Sequence, residues 1–121
     1  MKLWLDDIRP APQGWEWVKN IKQAIEILQT DKVDEASLDH DLGACDACMK
    51  LYEAMDADEW LIRSKGSSMP HCPHVGTGHQ LVLWMHLHNV WPKMKPIVHT
   101  MNPAGHQRMV EDINRYFPGD K

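Results

Sequence analysis

Polar side chains of the kinds that bind metal ions and phosphate groups follow three hydrophobic segments of this sequence. They are Asp6 and Asp7 after the first segment, Asp39, His40 and Asp41 after the second, and His99, Thr100 and Asn102 after the third. Ligands of α/β proteins bind outside the carboxyl ends of parallel strands, so residues that follow several strands can meet in one site. Carboxylates are hard ligands for Mg²⁺ or Mn²⁺, and histidine exchanges protons near neutral pH. These residues predict a site for a divalent cation or a phosphate group. A structural explanation also stands, in which Asp7 pairs with Arg9 and the acids after the second segment cap turns.

The start of the last helix adds a second indication of phosphate binding. Asn102 is a typical N-cap residue, and Pro103 suits the first position of a helix. The free amides of a helix N-terminus bind anions, and the forked donors of Arg108 suit phosphate oxygens. An ordinary capped helix with a solvated Arg108 explains the same residues, so both interpretations stay open.

A second group of residues has the composition of a zinc site. Cys45 and Cys48 form a C-x-x-C pair, and Cys72 and His74 follow it, with His71 as an alternative ligand. Structural Zn²⁺ is held by four nitrogen or sulfur ligands in a tetrahedron. We therefore predict a structural zinc at Cys45, Cys48, Cys72 and His74. The alternative is three unrelated reduced cysteines, since the spacing of the second pair is irregular.

The hydrophobic segments themselves alternate between strand and helix patterns. Strands are predicted at residues 2–5, 15–18, 35–38 and 96–98, and the first ends at Asp6 because Pro10 cannot continue a central strand. Apolar residues at helical spacing from Ile21 predict a helix that stops near Thr30. Three more helices are expected: a short one from the capping-box spacing of Asp56 and Glu59, one around residues 77–89 and one after Asn102. This order predicts an α/β fold with a parallel sheet and helices on both faces.

Length and charge limit the classes of protein to which the chain can belong. The 121 residues suit a single domain, and residues 44–76, which are poor in apolar side chains, are interpreted as an insertion within it. The net charge of −4 argues against a large surface for duplex DNA. No apolar run is long enough to cross a bilayer, and the acidic start is unlike a signal peptide, so we expect a cytoplasmic protein without a membrane partner.

Three segments, at residues 5–10 (LDDIRP), 37–43 (SLDHDLG) and 98–103 (VHTMNP), resemble the cyclic-phosphate processing receiver domain family. This family is a divergent branch of the receiver domains of two-component signalling. The resemblance covers nearly the whole chain, including the Cys/His insertion. It implies a receiver-like, flavodoxin-like three-layer sandwich with a small zinc-stapled insertion. It also implies the processing of cyclic phosphates in RNA or nucleotide metabolism.

The comparison with ordinary receiver domains assigns roles to several of these positions. Asp6 and Asp7 resemble the acids that hold Mg²⁺, Asp39 resembles the phosphoryl acceptor, and Thr100 resembles the switch hydroxyl. The lysine that follows the fifth strand of ordinary receivers has no counterpart in this sequence, which argues against phosphoacceptor signalling. His40 and His99, which ordinary receivers do not need, could act as general acid and base.

Three functional hypotheses follow. The first is a metal-dependent phosphoesterase that opens RNA 2′,3′-cyclic phosphate ends or cyclic nucleotides, with Asp39, His40 and His99 as catalytic residues. Its remaining site residues are Asp6, Asp7 and Asp41 for magnesium or manganese, and Thr100, Asn102 and Arg108 for phosphate. The second is a non-catalytic module that binds a phosphorylated ligand or a protein partner. The third and weakest is a conventional phosphoacceptor.

Overall fold

The computed structural model of the protein describes residues 1–43, 45–64 and 75–120. The elements in chain order are β1 (Lys2–Leu5), β2 (Trp15–Val18), α1 (Ile21–Leu28), β3 (Glu35–Leu38), α2 (Asp46–Glu53), α3 (Ala57–Ser64), α4 (Gly78–His88), β4 (Ile97–Val98), α5 (Pro103–Tyr116) and a final 3₁₀ turn (Pro118–Asp120). The first three strands have the bounds predicted from the sequence, and the fourth begins one residue later. No helix among these residues has the length and apolar character needed to cross a membrane.

The strands form one parallel sheet in the order β2-β1-β3-β4. Strand β1 is central, with Trp4 level with Trp17 of β2 on one side and with Ser37 of β3 on the other. Because the strands run in the same direction, their carboxyl ends lie along one edge of the sheet. The predicted α/β class with a parallel sheet is therefore confirmed.

Helices α1, α4 and α5 pack on the same face of this sheet. The strand residues in the main core share that face by alternation, and they are Leu3, Leu5, Val18, Ala36 and Leu38. The helices contribute Ala24 and Leu28, then Leu81, Val82 and Met85, and then Met109 and Ile113. Helix α4 has almost no polar face, which agrees with its position between α1 and α5. The described part of the chain thus has two main layers and not the three layers expected.

None of helices α1, α4 and α5 covers the opposite face of the sheet, because the connection from β1 to β2 is a loop. Residues 6–14 carry Pro10, Pro12 and Gly14, which interrupt a helix, and this loop joins two parallel strands without one. The face that the loop leaves open carries Trp4, Ser37 and their neighbours across the sheet.

Helices α2 and α3 of the predicted insertion have their own small cluster. Cys48 and Tyr52 are buried there against Met55, Trp60 and Val75. Asp56 caps α3, because its carboxylate accepts a hydrogen bond from the amide of Glu59 at 2.8 Å, as the capping-box spacing predicted. Residues 71, 72 and 74 lie outside the described residues, so the zinc-binding set stays a prediction.

Close packing between β3 and α4 depends on the absence of a side chain at position 78. The amide of Gly78 donates to the carbonyl of His40 at 2.9 Å. A Cβ at this position would lie 1.8 Å from the carbonyl oxygen of Asp39, which is backbone and cannot swing away. This contact brings the start of α4 against the residues that follow β3.

We expect Gly78→Ala to lower the free energy of unfolding by about 2–3 kcal/mol, because the new methyl group forces α4 away from β3. Gly14→Ala is the matched control, since φ is +89° there and nothing lies within 4 Å of the added Cβ. That substitution should cost about 1 kcal/mol through backbone strain alone. Urea unfolding of the two variants measures the difference, and equal losses would contradict the close contact.

Candidate active site

A cleft of about 360 Å³ lies at the carboxyl edge of the sheet. The residues that line it come from the segments after β1, β3 and β4, and they are Asp6, Asp7, Ile8, Arg9, Asp39, Asp41, Gly43, Thr100 and Met101. The three polar groups singled out in the sequence therefore contribute to one site. A larger cavity of about 510 Å³, near Trp91 and Phe117, contains none of these strand-end carboxylates, so the smaller cleft is the stronger candidate for chemistry.

Three carboxylates meet in this cleft. Asp6, Asp7 and Asp39 each offer an oxygen, and these oxygens lie within 4.8 Å of one another. Mg²⁺ and Mn²⁺ prefer hard oxygen ligands of this type, so the donor set fits a divalent cation. Asp41 lines the same cleft and adds a fourth carboxylate.

Asp6 is buried, with 1% of its surface exposed, and its oxygens are used by the surrounding chain. Its Oδ1 accepts hydrogen bonds from the amides of Ile8 at 2.9 Å and Arg9 at 2.8 Å, which turns the loop after β1. Its Oδ2 lies 3.0 Å from Nε2 of His99. Its main-chain carbonyl accepts from the indole of Trp17 at 2.7 Å. The side chain and the carbonyl of Asp6 together therefore connect β1, β2 and the residue that follows β4.

His99 is held from three sides on the open face of the sheet. Its ring stacks on Trp4 with centroids 3.9 Å apart, and its Nδ1 lies 2.7 Å from Oγ of Ser37. With Nε2 at Asp6, both ring nitrogens have polar partners, and the tautomer decides which nitrogen donates. His99 does not line the cleft, so any proton that it exchanges with a ligand there passes through Asp6.

Burial raises the pKa of Asp39 above its ordinary value, since the surrounding protein penalises the charged form. A hydrogen bond from Thr100 lowers this pKa, and the nearby Asp6 raises it. Burial also raises the pKa of Asp7, with an opposing hydrogen bond from its own backbone. The remaining contributions to Asp7, from Asp6, Asp39 and Asp41, all raise its pKa. Ionising this cluster without a cation is therefore unfavourable.

His40 is buried behind the cleft and contacts it through Asp41. Its Nδ1 lies 2.8 Å from Oδ1 of Asp41, and its ring leaves so little room that a Cβ at Gly105 would approach within 2.6 Å. The side-chain Nδ2 of Asn102 donates to Oδ2 of Asp41 at 3.4 Å. Asp41 therefore connects the end of β3 with the start of α5.

Two of the three residues proposed for phosphate lie outside the lining of the cleft. Thr100 lines it, whereas Asn102 caps α5, where its side-chain oxygen accepts from the amide of Gly105 at 3.1 Å. Arg108 is exposed in the second turn of α5 and does not line the cleft. The roles of Asn102 and Arg108 in phosphate binding stay predictions.

Several residues of the site were not among those proposed from sequence. Arg9 brings a guanidinium to the cleft and donates to the carbonyl of His99 at 3.0 Å. Ile8 and Met101 form an apolar rim, with exposed fractions of 78% and 80%. Ser37 orients His99. Ser37 could have been found from its position two residues before Asp39. Side chains alternate along a strand, so Ser37 lies on the face opposite the buried Leu38.

A comparison with protein-family models identifies the family of the chain. The model of the cyclic-phosphate processing receiver domain matches residues 1–115. Searches of curated proteins and of solved structures gave no match to this chain.

The raised pKa of Asp39 predicts that Asp39→Asn stabilises the protein at pH 7 in the absence of divalent cations. The stability that the neutral carboxyl contributes is fully present below the ordinary pKa of 3.8 and is lost as the pH rises through the folded-state pKa. Asparagine keeps the neutral form at every pH. We expect a gain of up to about 1 kcal/mol in the free energy of unfolding at pH 7, measured by urea unfolding in chelator. This gain should shrink toward zero as the pH is lowered.

Asp34→Asn should show the opposite sign. The N-terminal ammonium and Lys93 lower the pKa of Asp34, so its stabilising contribution is present above the ordinary value of 3.8 and is lost as the pH falls. The substitution should therefore destabilise the protein at pH 7 and have less effect in acid. The same sign for both variants would contradict the electrostatic account of the cleft.

Proposed function

Since the chain belongs to the cyclic-phosphate processing receiver domain family, we propose that it is a phosphoesterase that opens cyclic phosphates in its acidic cleft. The proposed substrates are RNA 2′,3′-cyclic phosphate ends or cyclic nucleotides. In the proposed reaction, water adds to phosphorus, the bond from phosphorus to one ring oxygen breaks, and that oxygen leaves as a hydroxyl after taking a proton.

The observation that carries this proposal is the meeting of Asp6, Asp7 and Asp39 within 4.8 Å in one cleft. A cyclic phosphodiester is an anion, and four carboxylates around the cleft would repel it. A divalent cation held by Asp6, Asp7 and Asp39, with Asp41 nearby, would neutralise its phosphoryl oxygens and lower the pKa of bound water. This cation also explains why carboxylates with raised pKa values are gathered in one place.

The chain supplies further groups of the required types. Arg9 has forked donors that suit two oxygens of a phosphate, and its backbone position is set by Asp6. The hydroxyl of Thr100, which bonds Asp39, lines the cleft and orients that carboxylate. Arg9 would therefore bind the phosphate, and Thr100 would hold the carboxylate of Asp39 in position.

The histidines are proposed to handle protons through the carboxylates that they contact. His99 reaches the cleft through Asp6 at 3.0 Å, and His40 reaches it through Asp41 at 2.8 Å. In this arrangement one carboxylate accepts the proton of the attacking water, and the other supplies a proton to the leaving oxygen. The buried imidazoles replenish or remove these protons.

A non-catalytic function is the second candidate, and the position of both histidines outside the cleft lining favours it. His40 is 4% exposed, and neither His40 nor His99 lines the cleft. A module that only binds a phosphorylated ligand or a protein partner would need the carboxylates and their cation but no proton transfer. Ligand binding without turnover would identify this function.

We also propose that Cys45, Cys48, Cys72 and His74 bind a structural zinc ion. Cys45 is the N-cap of α2 and Cys48 is buried in its first turn, so the pair has the short spacing of a zinc knuckle. The buried cluster around Cys48 and Tyr52 is small, so a metal ion would add stability that this segment otherwise lacks.

Phosphorus NMR with a panel of 2′,3′-cyclic mononucleotides, RNA ending in a cyclic phosphate and cyclic dinucleotides tests the proposed activity. We expect ring opening with Mg²⁺ or Mn²⁺ and none in chelator. Asp39→Asn should lower the rate at least about a hundredfold, since it removes one carboxylate from the cation site. Asp34→Asn, at the other end of the sheet, should retain the rate. Line broadening of the ligand without turnover would support the binding module instead.

Zinc analysis of purified protein tests the second metal. We expect one zinc ion per chain, and Cys48→Ser or His74→Gln should abolish it and lower the melting temperature by several degrees. His71→Gln is the matched control, and it should retain zinc. Loss of zinc in His71→Gln with retention in His74→Gln would exchange the two ligands, whereas zinc-free wild-type protein with unchanged stability would contradict the site.

A further inference from the structure

The sheet face opposite helices α1, α4 and α5 presents a row of aromatic side chains. Trp15 and Trp17 of β2 lie beside Trp4 of β1, and His99 stacks on Trp4 from the other side. Trp4 and Trp15 meet edge to face with centroids 6.1 Å apart. Trp17 is 38% exposed, and Ile97, on the same face of β4, is 60% exposed. We name this surface, made of Trp4, Trp15, Trp17 and His99, the aromatic face.

Cationic side chains lie directly over the outer rings of the aromatic face. The ammonium of Lys19 is 4.5 Å from the ring centroid of Trp17, and that of Lys2 is 5.7 Å from the ring centroid of Trp15. Aromatic rings beside positive charges suit a ligand that has flat unpaired bases and phosphates. Glu35, on the same face, pairs with Lys2 at 3.5 Å. Lys19, next to the most exposed indole, is therefore the stronger cation for a phosphate.

The same charges disfavour a second copy of this chain as the occupant. A two-fold contact through the aromatic face would bring the lysines of one copy against the identical face of the other. Glu35, the acid on this face, already lies against Lys2. A polyanion has the complementary charge, and its bases can replace the water that covers the indoles.

The aromatic face is continuous with the acidic cleft. The indole of Trp17 donates to the carbonyl of Asp6 at 2.7 Å, and His99 contacts the side chain of Asp6. The indole of Trp4 donates to the carbonyl of Arg9 at 3.0 Å, and Arg9 lines the cleft. A single-stranded nucleic acid whose terminal phosphate lies in the cleft can therefore extend past Arg9 onto Trp17.

We propose that the aromatic face binds the unpaired bases of single-stranded RNA, with the base next to the terminal phosphate stacked on Trp17 and a backbone phosphate at Lys19. This inference rests on the proposed function and makes it more specific, because an RNA end and not a free cyclic mononucleotide becomes the preferred ligand. The aromatic face supplies affinity for the RNA, and the cleft acts on the end of the RNA.

Fluorescence anisotropy with a labelled RNA of about eight nucleotides that ends in a 3′-hydroxyl tests the face separately from the cleft. The titration is made in chelator, so that cation binding at Asp39 does not contribute. We expect Trp17→Ala to weaken binding about tenfold, as the loss of one stacked base requires. Trp17→Phe should stay within about threefold of wild type, since it keeps the ring and removes only the hydrogen bond to Asp6.

Charge is tested with a matched pair of lysines. Lys19→Gln should weaken binding. It should also reduce the steepness of the plot of log affinity against log salt concentration by about 0.7, the value for one phosphate of a single-stranded nucleic acid. Lys32→Gln also removes one positive charge, but before β3 at the other end of the sheet. It should change neither the affinity nor its dependence on salt. The RNA ends in a 3′-hydroxyl and the titration contains no divalent cation, so a failure of turnover and a failure of the face are separate results.

Three results would overturn the inference. The first is unchanged affinity in Trp17→Ala, and the second is equal binding of a duplex of the same sequence, whose bases are not free to stack. The third is a dimer in sedimentation experiments that Trp17→Ala converts to a monomer, which would make the face a contact between copies. RNA binding that depends on Trp17, in a protein that opens no cyclic phosphate, would support the face and contradict the proposed function.

Discussion

The buried carboxylate of Asp6 is the interaction on which the cleft and the adjoining surface depend. A charged group with 1% exposure is tolerated in a protein only when its oxygens are bonded. Here the partners are the loop amides after β1 and the ring of His99, while the carbonyl of the same residue accepts from Trp17. Satisfying one buried acid thus sets the loop with Arg9, the orientation of His99 and the position of an exposed indole.

A second constraint is the crowding of acids that this arrangement produces. Burial raises the pKa of Asp7 and of Asp39, and neighbouring carboxylates add to the effect, so the protein gives up stability at neutral pH to hold them together. A cation or a protonated carboxyl relieves this cost. Clusters of this kind are found where a charge must be bound or a proton moved, since an ordinary surface would spread its acids apart.

The sheet edge was predictable because strand ends have strong local signals. Short apolar runs that stop at acids, and Pro10 after the first, predicted β1 and β3 with the bounds observed. Parallel strands then bring Asp6, Asp39 and Thr100 to one edge whatever the details of packing. A sheet with α1, α4 and α5 all on one face was not predicted, because the order of the elements and the resemblance both implied helices on both faces. The loop at residues 6–14 joins two parallel strands without a helix.

The sequence by itself therefore determined the class of fold, the parallel sheet and the carboxylates that meet at its edge, because these follow from hydrophobic periodicity and strand direction. The orientation of each functional side chain was decided only in the tertiary structure. His99 and His40 were both candidates to touch a ligand, yet packing against Trp4 and Gly105 places both rings behind the carboxylates that line the cleft. Which nitrogen meets which oxygen depends on contacts between segments far apart in the chain, such as Ser37 with His99, and no local pattern encodes them.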